Sequence, residues 1–218
     1  MNSDHQQTKP TLALADAQPR DWKILPIANA DIRLIRDFLP SKRASQLQEL
    51  LTEQVAWRRD HVQLFGKRHP IPRLHQWYGE PGAVYRWSGI EMQPQPWLDE
   101  LALVRDRLEN LLDQTFNSTL INLYRDGNDS MGWHADDEKE LGGQPVIASI
   151  SLGSTRDFLL RPKDKSSGAT QCIPLTHGSL LLMTGQTQHH WQHSLPKRLR
   201  CREPRINLTF RQIETAAT

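Results

Sequence analysis

A histidine and a carboxylate stand two residues apart at His134 and Asp136. In extended chain, side chains two residues apart project from the same side, so this pair can occupy adjacent positions around a metal ion. One type of non-haem iron site uses two histidines and one carboxylate on one face and leaves the opposite positions open. The second histidine must come from elsewhere, and the downstream candidates are His189, His190 and His193. A surface histidine beside a solvated aspartate is the alternative.

Residues 205–211 alternate between polar and apolar side chains, which predicts a strand. The polar face carries Arg205, Asn207, Thr209 and Arg211. Guanidinium groups bind carboxylates through two parallel hydrogen bonds, so this face can hold a dicarboxylate. Six residue steps span roughly 20 Å of strand, so a small diacid contacts both arginines only if their side chains lean together. A solvated edge strand is the alternative.

A strand predicted over residues 119–124 leads into the His134 site. Its alternation places Leu120, Asn122 and Tyr124 on one face, and two polar groups on one strand face indicate a cleft. Residues 126–128, Asp-Gly-Asn, then predict a turn, because Gly and Asn tolerate positive φ and an Asp side chain can bond nearby backbone.

Short strands dominate the second half of the chain, and helices are predicted only in the first half. Further strands are predicted at residues 145–153, 156–162, 170–175 and 178–185. One helix is expected from Ser41, acting as N-cap, to about Trp57, and a second follows Pro96 with apolar residues from Trp97 to Leu112. This distribution predicts an α+β fold with a sandwich or barrel.

Four segments resemble, in order and spacing, the AlkB family of iron- and 2-oxoglutarate-dependent dioxygenases. They are NLYRDGNDSMGWHADDE (122–138), HGSLLLMTG (177–185), HHWQHSLPKR (189–198) and REPRINLTFR (202–211). The resemblance is to the nucleic-acid-repair branch and runs from about Phe38 to Ile213. It implies a double-stranded β-helix (jelly-roll) core at about 119–213, buttressed by the N-terminal helices.

The resemblance also implies the site residues. It makes His134, Asp136 and His193 the Fe(II) ligands, and it selects His193 because the family's distal ligand lies in a W-x-H-x-x-P context, matched by Trp191 and Pro196. The remaining iron positions serve 2-oxoglutarate and O2. The family's 2-oxoglutarate pattern falls on Asn122, Tyr124, Arg205, Asn207, Thr209 and Arg211.

The region between the helices, residues 58–90, predicts short hairpins that carry Phe65, Trp77, Tyr85 and Trp87. In the family this region forms a nucleotide-recognition lid. The resemblance implies that the bases are contacted by Phe65, Tyr85, Trp87 and Asp137. Packing of the aromatic residues into a minor core is the alternative.

Composition limits the remaining possibilities. With 218 residues and 37% hydrophobic content, the chain can form one domain over residues 21–218, preceded by a loose polar tail at 1–20. Net charge is only +2, but residues 58–73 hold five basic residues against one acidic, and 197–211 six against one. Such stretches fit a surface that follows phosphates, although solvated faces have them too.

Two cysteines offer no disulfide framework, and no apolar run is long enough to span a membrane.

The resemblance implies oxidative demethylation of N-alkylated bases in DNA, of the 1-methyladenine and 3-methylcytosine type, with release of formaldehyde, succinate and CO2. A paired base hides the target atom, so the base must be flipped out or already unpaired. The same chemistry on RNA or protein is one alternative, and a non-catalytic metal-binding jelly-roll that binds nucleic acid is another. We expect a monomer without membrane association, located in the cytoplasm, or in the nucleus of a eukaryote.

Overall fold

A computed structural model describes residues 22–64, 66–87 and 89–214, with the backbone alone at Leu64 and Trp87. The tail expected over residues 1–20 lies outside these described residues. Within them the chain alternates short strands with two long helices.

The described residues contain fifteen strands, the longest of seven residues. The strands are β1 (Lys23–Ile24), β2 (Asp31–Ile35), β3 (His61–Leu64), β4 (Lys67–Pro70), β5 (Leu74–Gly79), β6 (Tyr85–Trp87), β7 (Ile90–Met92), β8 (Ser118–Tyr124), β9 (Met131–His134), β10 (Ile147–Gly153), β11 (Arg156–Pro162), β12 (Gln171–Leu175), β13 (Ser179–Thr184), β14 (Trp191–Leu195) and β15 (Arg205–Arg211). The helices are α1 (Ser41–Gln54), α2 (Asp99–Leu112) and the short α3 (Thr187–His190), with 3-10 turns at Lys139–Leu141 and Lys165–Ser167.

Two antiparallel sheets form the core of the fold. Seven strands make a major sheet in the order β1-β2-β13-β10-β15-β8-β5, and four make a minor sheet in the order β12-β11-β14-β9. The strand β15 pairs with β10 on one side and with β8 on the other. It is therefore an interior strand, and the alternative of a solvated edge at residues 205–211 is excluded.

Apolar side chains cover both faces of the major sheet. One cluster lies between the two sheets and includes Leu181 and Met183 from the major sheet and Phe158 and Leu160 from the minor sheet. The larger cluster packs α1 and α2 against the opposite face of the major sheet. The expected α+β double-stranded β-helix with N-terminal buttressing helices is confirmed.

The N-cap prediction for α1 was wrong. Ser41 is the first helical residue, and Pro40 occupies the cap, where its carbonyl accepts a 2.9 Å hydrogen bond from the Ala44 backbone N–H. A side chain inside the first turn cannot cap the following N–H groups, and no side-chain cap bond is present at this helix. Both helices are also shorter than predicted, since α1 ends at Gln54 and α2 begins at Asp99.

Trp77 does not lie on a short hairpin as expected. It belongs to β5, which pairs with β8 in the major sheet, and its indole is buried and donates a 2.8 Å hydrogen bond to the Ala83 carbonyl. The expected hairpins are β3–β4 and β6–β7, which pair apart from the two main sheets.

The turn predicted at residues 126–128 forms, but its glycine is required for a different reason from the one predicted. The Asn128 backbone N–H donates to Asp126 Oδ1 at 2.7 Å, as expected of an Asx turn. Gly127 does not have a left-handed φ; instead, a Cβ at this position would lie 1.7 Å from the carbonyl oxygen of Arg198. Close approach of two backbone segments therefore requires this glycine.

Candidate active site

One cavity collects the polar faces of β8 and β15. Side chains alternate along each strand, so every second residue of these interior strands points between the sheets. The cavity is lined by Asn122, Tyr124, Arg205, Asn207, Thr209, Arg211, His134, Asp136 and His193, among others. The structure thus brings together all nine residues expected to bind iron and 2-oxoglutarate.

Three of these side chains form a compact cluster. Their candidate ligand atoms all lie within 4.8 Å of one another. His134 and His193 are opposite each other on the paired strands β9 and β14, and their ring centroids are 4.1 Å apart. Asp136 follows two residues after His134, with its carboxylate oxygens 3.8 Å from His134 Nε2 and 4.0 Å from His193 Nε2.

Neighbouring groups fix both imidazole rings. His134 Nδ1 donates a 2.9 Å hydrogen bond to the Gly132 carbonyl, which leaves the lone pair on Nε2 for a metal ion. The His193 ring stacks on Phe158 with centroids 5.1 Å apart. Burial, reinforced by the nearby His134, lowers the pKa of His193 to about 3, so its ring stays neutral and able to ligate at neutral pH.

Asp136 is held ionised in a buried position. Burial alone would raise the pKa of Asp136, but the attraction of the Arg211 guanidinium is the main effect that outweighs burial and lowers the pKa to about 2. Arg211 Nη2 donates to Asp136 Oδ1 at 2.9 Å. The Asp136 backbone N–H donates to Gln188 Oε1 at 3.0 Å.

Arg205 supplies an anion site in the same cavity. Its side chain is 1% exposed, and Nη2 donates a 2.8 Å hydrogen bond to Ser151 Oγ. Within the described part of the chain, its Nε and Nη1 have no hydrogen-bond acceptor. Burial lowers the pKa of Arg205 to about 10, which still leaves it charged at neutral pH. A buried guanidinium with unmatched donors calls for an anionic partner.

Among the described residues, both arginines of β15 leave Nε and Nη1 without a hydrogen-bond acceptor, but they differ in their other partners. Arg205 lies over Tyr124, with its Cζ atom 5.3 Å from the ring centroid, whereas Arg211 is paired with Asp136 and lies 5.5 Å from the Tyr85 ring. The two-histidine, one-carboxylate set fits Fe(II), and the unmatched Arg205 donors fit a carboxylate of 2-oxoglutarate.

The four residues predicted to contact the bases differ in their surroundings. Phe65 lies outside the described residues, as does the side chain of Trp87. Tyr85 is only 2% exposed and stacks on Trp77, with ring centroids 4.9 Å apart, as the minor-core alternative expects. Asp137 is half exposed and forms a 2.7 Å ion pair with Lys163.

The other histidine candidates lie away from the cluster. His189 bonds the Gly143 carbonyl, and His190 Nε2 lies 3.1 Å from Gln186 Oε1; both side chains are exposed. A further histidine, His177, was not a candidate ligand; it lies before β13, accepts a 2.8 Å hydrogen bond from the Gly153 N–H and thereby ties two strand ends together.

Sequence reasoning missed two residues beside the cluster. Gln188, on α3, is buried and fixes the backbone of Asp136. Glu138 is half-buried, with the Tyr85 hydroxyl beside it, and burial raises the pKa of its carboxyl. Glu138 stands two residues after Asp136, just as Asp136 stands two residues after His134. This repeated two-residue spacing was the sequence signal that could have identified Glu138 as a site residue.

Residues 31–211 match the 2OG-Fe(II) oxygenase superfamily. The chain is 48% identical over 158 residues to the human DNA oxidative demethylase ALKBH2, a match covering 70% of this chain and 60% of that protein. It is 42% identical over 196 residues to mouse alpha-ketoglutarate-dependent dioxygenase alkB homolog 3, covering 86% of this chain and 68% of that protein. The chain belongs to the AlkB family of 2OG-Fe(II) oxygenases.

The solved structure of OsALKBH1 shares this fold. It superposes with a TM-score of 0.63 at 16% identity and covers 88% of this chain and 99% of that one. Members of the superfamily use Fe(II) and 2-oxoglutarate, and the His-Asp-His cluster supplies a metal-binding group of the matching kind. Among the described residues, no helix is long and apolar enough to cross a membrane.

Proposed function

We propose that this chain is an Fe(II)- and 2-oxoglutarate-dependent dioxygenase that removes N-linked alkyl groups from DNA bases, with 1-methyladenine and 3-methylcytosine as its substrate type. The observation that carries the proposal is the combination, in one cavity, of the His134, Asp136 and His193 cluster with the buried, unmatched guanidinium of Arg205. A structural metal site would explain the first feature but not the second.

The chain's own residues bind and orient the reactants. His134, Asp136 and His193 hold Fe(II), and Arg205 receives one carboxylate of 2-oxoglutarate, with Asn122, Tyr124, Asn207 and Thr209 lining its space. Arg211 holds the Asp136 carboxylate in place. When bound, the iron, 2-oxoglutarate and O2 supply the oxidation of the alkyl carbon, which leaves as formaldehyde while 2-oxoglutarate becomes succinate and CO2.

One observation supports DNA as the substrate, and a second supports a nucleic acid of either kind. The relatives include a protein named DNA oxidative demethylase. The strand β4 and the loop after β14 carry exposed basic residues, including Lys67, Arg68, Arg198 and Arg200, which suit contact with phosphates. The same chemistry on RNA or protein is the alternative. A monomer in the cytoplasm or nucleus stays a prediction.

Base recognition is assigned to the lid. Phe65 and Trp87 keep their predicted roles, whereas Tyr85 and Asp137 fit less well, because the ring is stacked in a minor core and the carboxylate is paired with Lys163. Both substrate bases are cationic, so Glu138, beside Tyr85, is a suitable partner for them.

The decisive experiment measures formaldehyde release from oligonucleotides that carry 1-methyladenine or 3-methylcytosine, as DNA and as RNA, single-stranded and duplex. Fe(II), 2-oxoglutarate and ascorbate are present, and Asp136→Ala is the inactive control. We expect release from DNA that depends on 2-oxoglutarate. Formaldehyde release from RNA alone would show that the substrate is RNA and not DNA. No release from any oligonucleotide would refute the proposal.

Phe65 provides a test of strand separation. In the sequence it stands between the residues of β3 and β4 and before Gly66, and we expect its aromatic ring to enter a base stack. Because this benefit requires a partner strand, Phe65→Ala should slow repair of duplex DNA about tenfold more than repair of the same single strand. Trp87→Ala should slow repair of both the duplex and the single strand, because the captured base must stack on the Trp87 ring whether it comes from a duplex or from a single strand. Equal losses for Phe65→Ala on the two substrates would assign Phe65 to packing.

A further inference from the structure

Arg73 belongs to the lid segment but contacts a residue that lines the cavity assigned by the proposed function to 2-oxoglutarate. It follows the β3–β4 hairpin by three residues, and its side chain is 3% exposed. Its Nε donates a 2.8 Å hydrogen bond to Oδ1 of Asn122 on β8. Asn122 in turn lines the cavity.

This contact decides which end of the Asn122 amide faces the cavity. A guanidinium has donors and no acceptor, so the amide oxygen must face Arg73. The Nδ2 group, with its two N–H donors, is then directed away from Arg73. Two N–H donors suit a carboxylate, whereas the amide oxygen in the same place would repel it.

Backbone hydrogen bonds fix the segment that carries Arg73. The Arg73 N–H donates to the Ile71 carbonyl at 2.8 Å, and the Ile71 N–H donates to the Asp60 carbonyl at 2.9 Å. The Ser130 N–H donates to the Pro72 carbonyl at 2.9 Å, which ties the segment to the loop before β9. Buried Asp129 adds negative charge near the guanidinium.

We propose that Arg73 is a positioning residue for the cosubstrate: it locks the Asn122 amide so that Nδ2 donates to bound 2-oxoglutarate. The inference rests on the proposed function for the identity of the diacid. It places part of the cosubstrate affinity in the lid segment rather than in the core strands.

The test measures 2-oxoglutarate binding without turnover, by calorimetry on the Zn(II)-loaded protein. Arg73→Met should raise the Kd about tenfold, and Arg73→Lys, which keeps one donor, should restore most of the affinity. In the Asn122→Ala background, Arg73→Met should cause no further change, because its effect passes through Asn122. Additive losses in this double-mutant cycle would overturn the proposal.

A second measurement needs no Arg73 variant and therefore holds even if Arg73→Met does not fold. The side-chain amide signals of Asn122 in the Zn(II)-loaded wild-type protein, assigned by their loss in Asn122→Ala, should shift when 2-oxoglutarate is added. Unchanged signals would overturn the inference. Neither readout involves a nucleic acid, so demethylation can succeed while this inference fails, and the reverse.

Discussion

The choice among the histidines is the sharpest prediction at the scale of single residues. His134→Ala, Asp136→Ala and His193→Ala should each abolish stoichiometric Fe(II) binding, because each removes one of three clustered ligand atoms. His190→Ala is the matched control, since its ring is exposed and faces Gln186. Anaerobic Fe(II) titration measures the difference. Iron binding that survives in His193→Ala and is lost in His190→Ala would show the ligand assignment to be wrong.

Arg205 and Arg211 should respond differently to substitution by lysine. Arg205→Lys should raise the KM for 2-oxoglutarate about tenfold and leave Fe(II) affinity nearly unchanged. The reason is that a single ammonium group replaces a guanidinium that faces the cavity and can bind a carboxylate through two hydrogen bonds. Arg211→Lys should weaken Fe(II) binding as well, because Arg211 holds the ligand Asp136. Steady-state kinetics and metal titration distinguish the two effects. Loss of oligonucleotide affinity alone would place these arginines in the nucleic-acid site.

Pairings between distant residues explain what the sequence could not predict. The alternation of Arg205, Asn207 and Thr209 predicted their common face, because period two is local information. The Arg211–Asp136 ion pair joins residues 75 positions apart, and no local pattern encodes it. Burial of Tyr85 likewise depends on its stacking on Trp77, which lies on a different strand.

At the scale of elements, the loop after β8 is locked against the loop after β14. The Gly127 N–H donates to the Cys201 carbonyl at 2.9 Å, and the Arg198 N–H donates to the Gly127 carbonyl at 2.7 Å. Buried Arg156 strengthens this junction by donating to the carbonyls of Asp129 and Pro196. The predicted turn was therefore correct, but its contact with the loop after β14 could not be inferred from the turn residues alone.

Gly127→Ala should disturb this junction. Its Cβ would overlap the Arg198 carbonyl, so the two loops must move apart, at a cost of about 1–3 kcal/mol in the free energy of unfolding. Gly132→Ala is the matched control, because nothing lies within 4 Å of a Cβ there. Urea unfolding of both variants checks the prediction, and equal stabilities would contradict the close approach.

At the scale of the whole molecule, the metal-free protein should lose stability in acid. The pKa of His193 is lowered from 6.5 to about 3, first by burial and second by His134. Between these pH values the unfolded chain binds a proton that the folded chain does not, so the free energy of unfolding should fall as pH is lowered through this window. Asp136, with its pKa lowered to about 2, adds its own loss only below its ordinary value of 3.8.

Urea unfolding in the presence of a chelator, at several pH values, measures this dependence. His193→Gln should flatten the decline between pH 6.5 and about 3, because its side chain does not titrate. An unchanged slope in this variant would assign the acid sensitivity to other groups.

The interior position of β15 has a consequence for how the protein is made. β15 is the final strand of the described chain, yet its two neighbours, β10 and β8, precede it by more than fifty residues. Until residues 205–211 leave the ribosome, both neighbours present an unpaired edge, and such edges invite aggregation. A nascent chain halted before Arg205 would therefore hold a sheet divided in two, and we expect chaperones to bind it at β8 and β10.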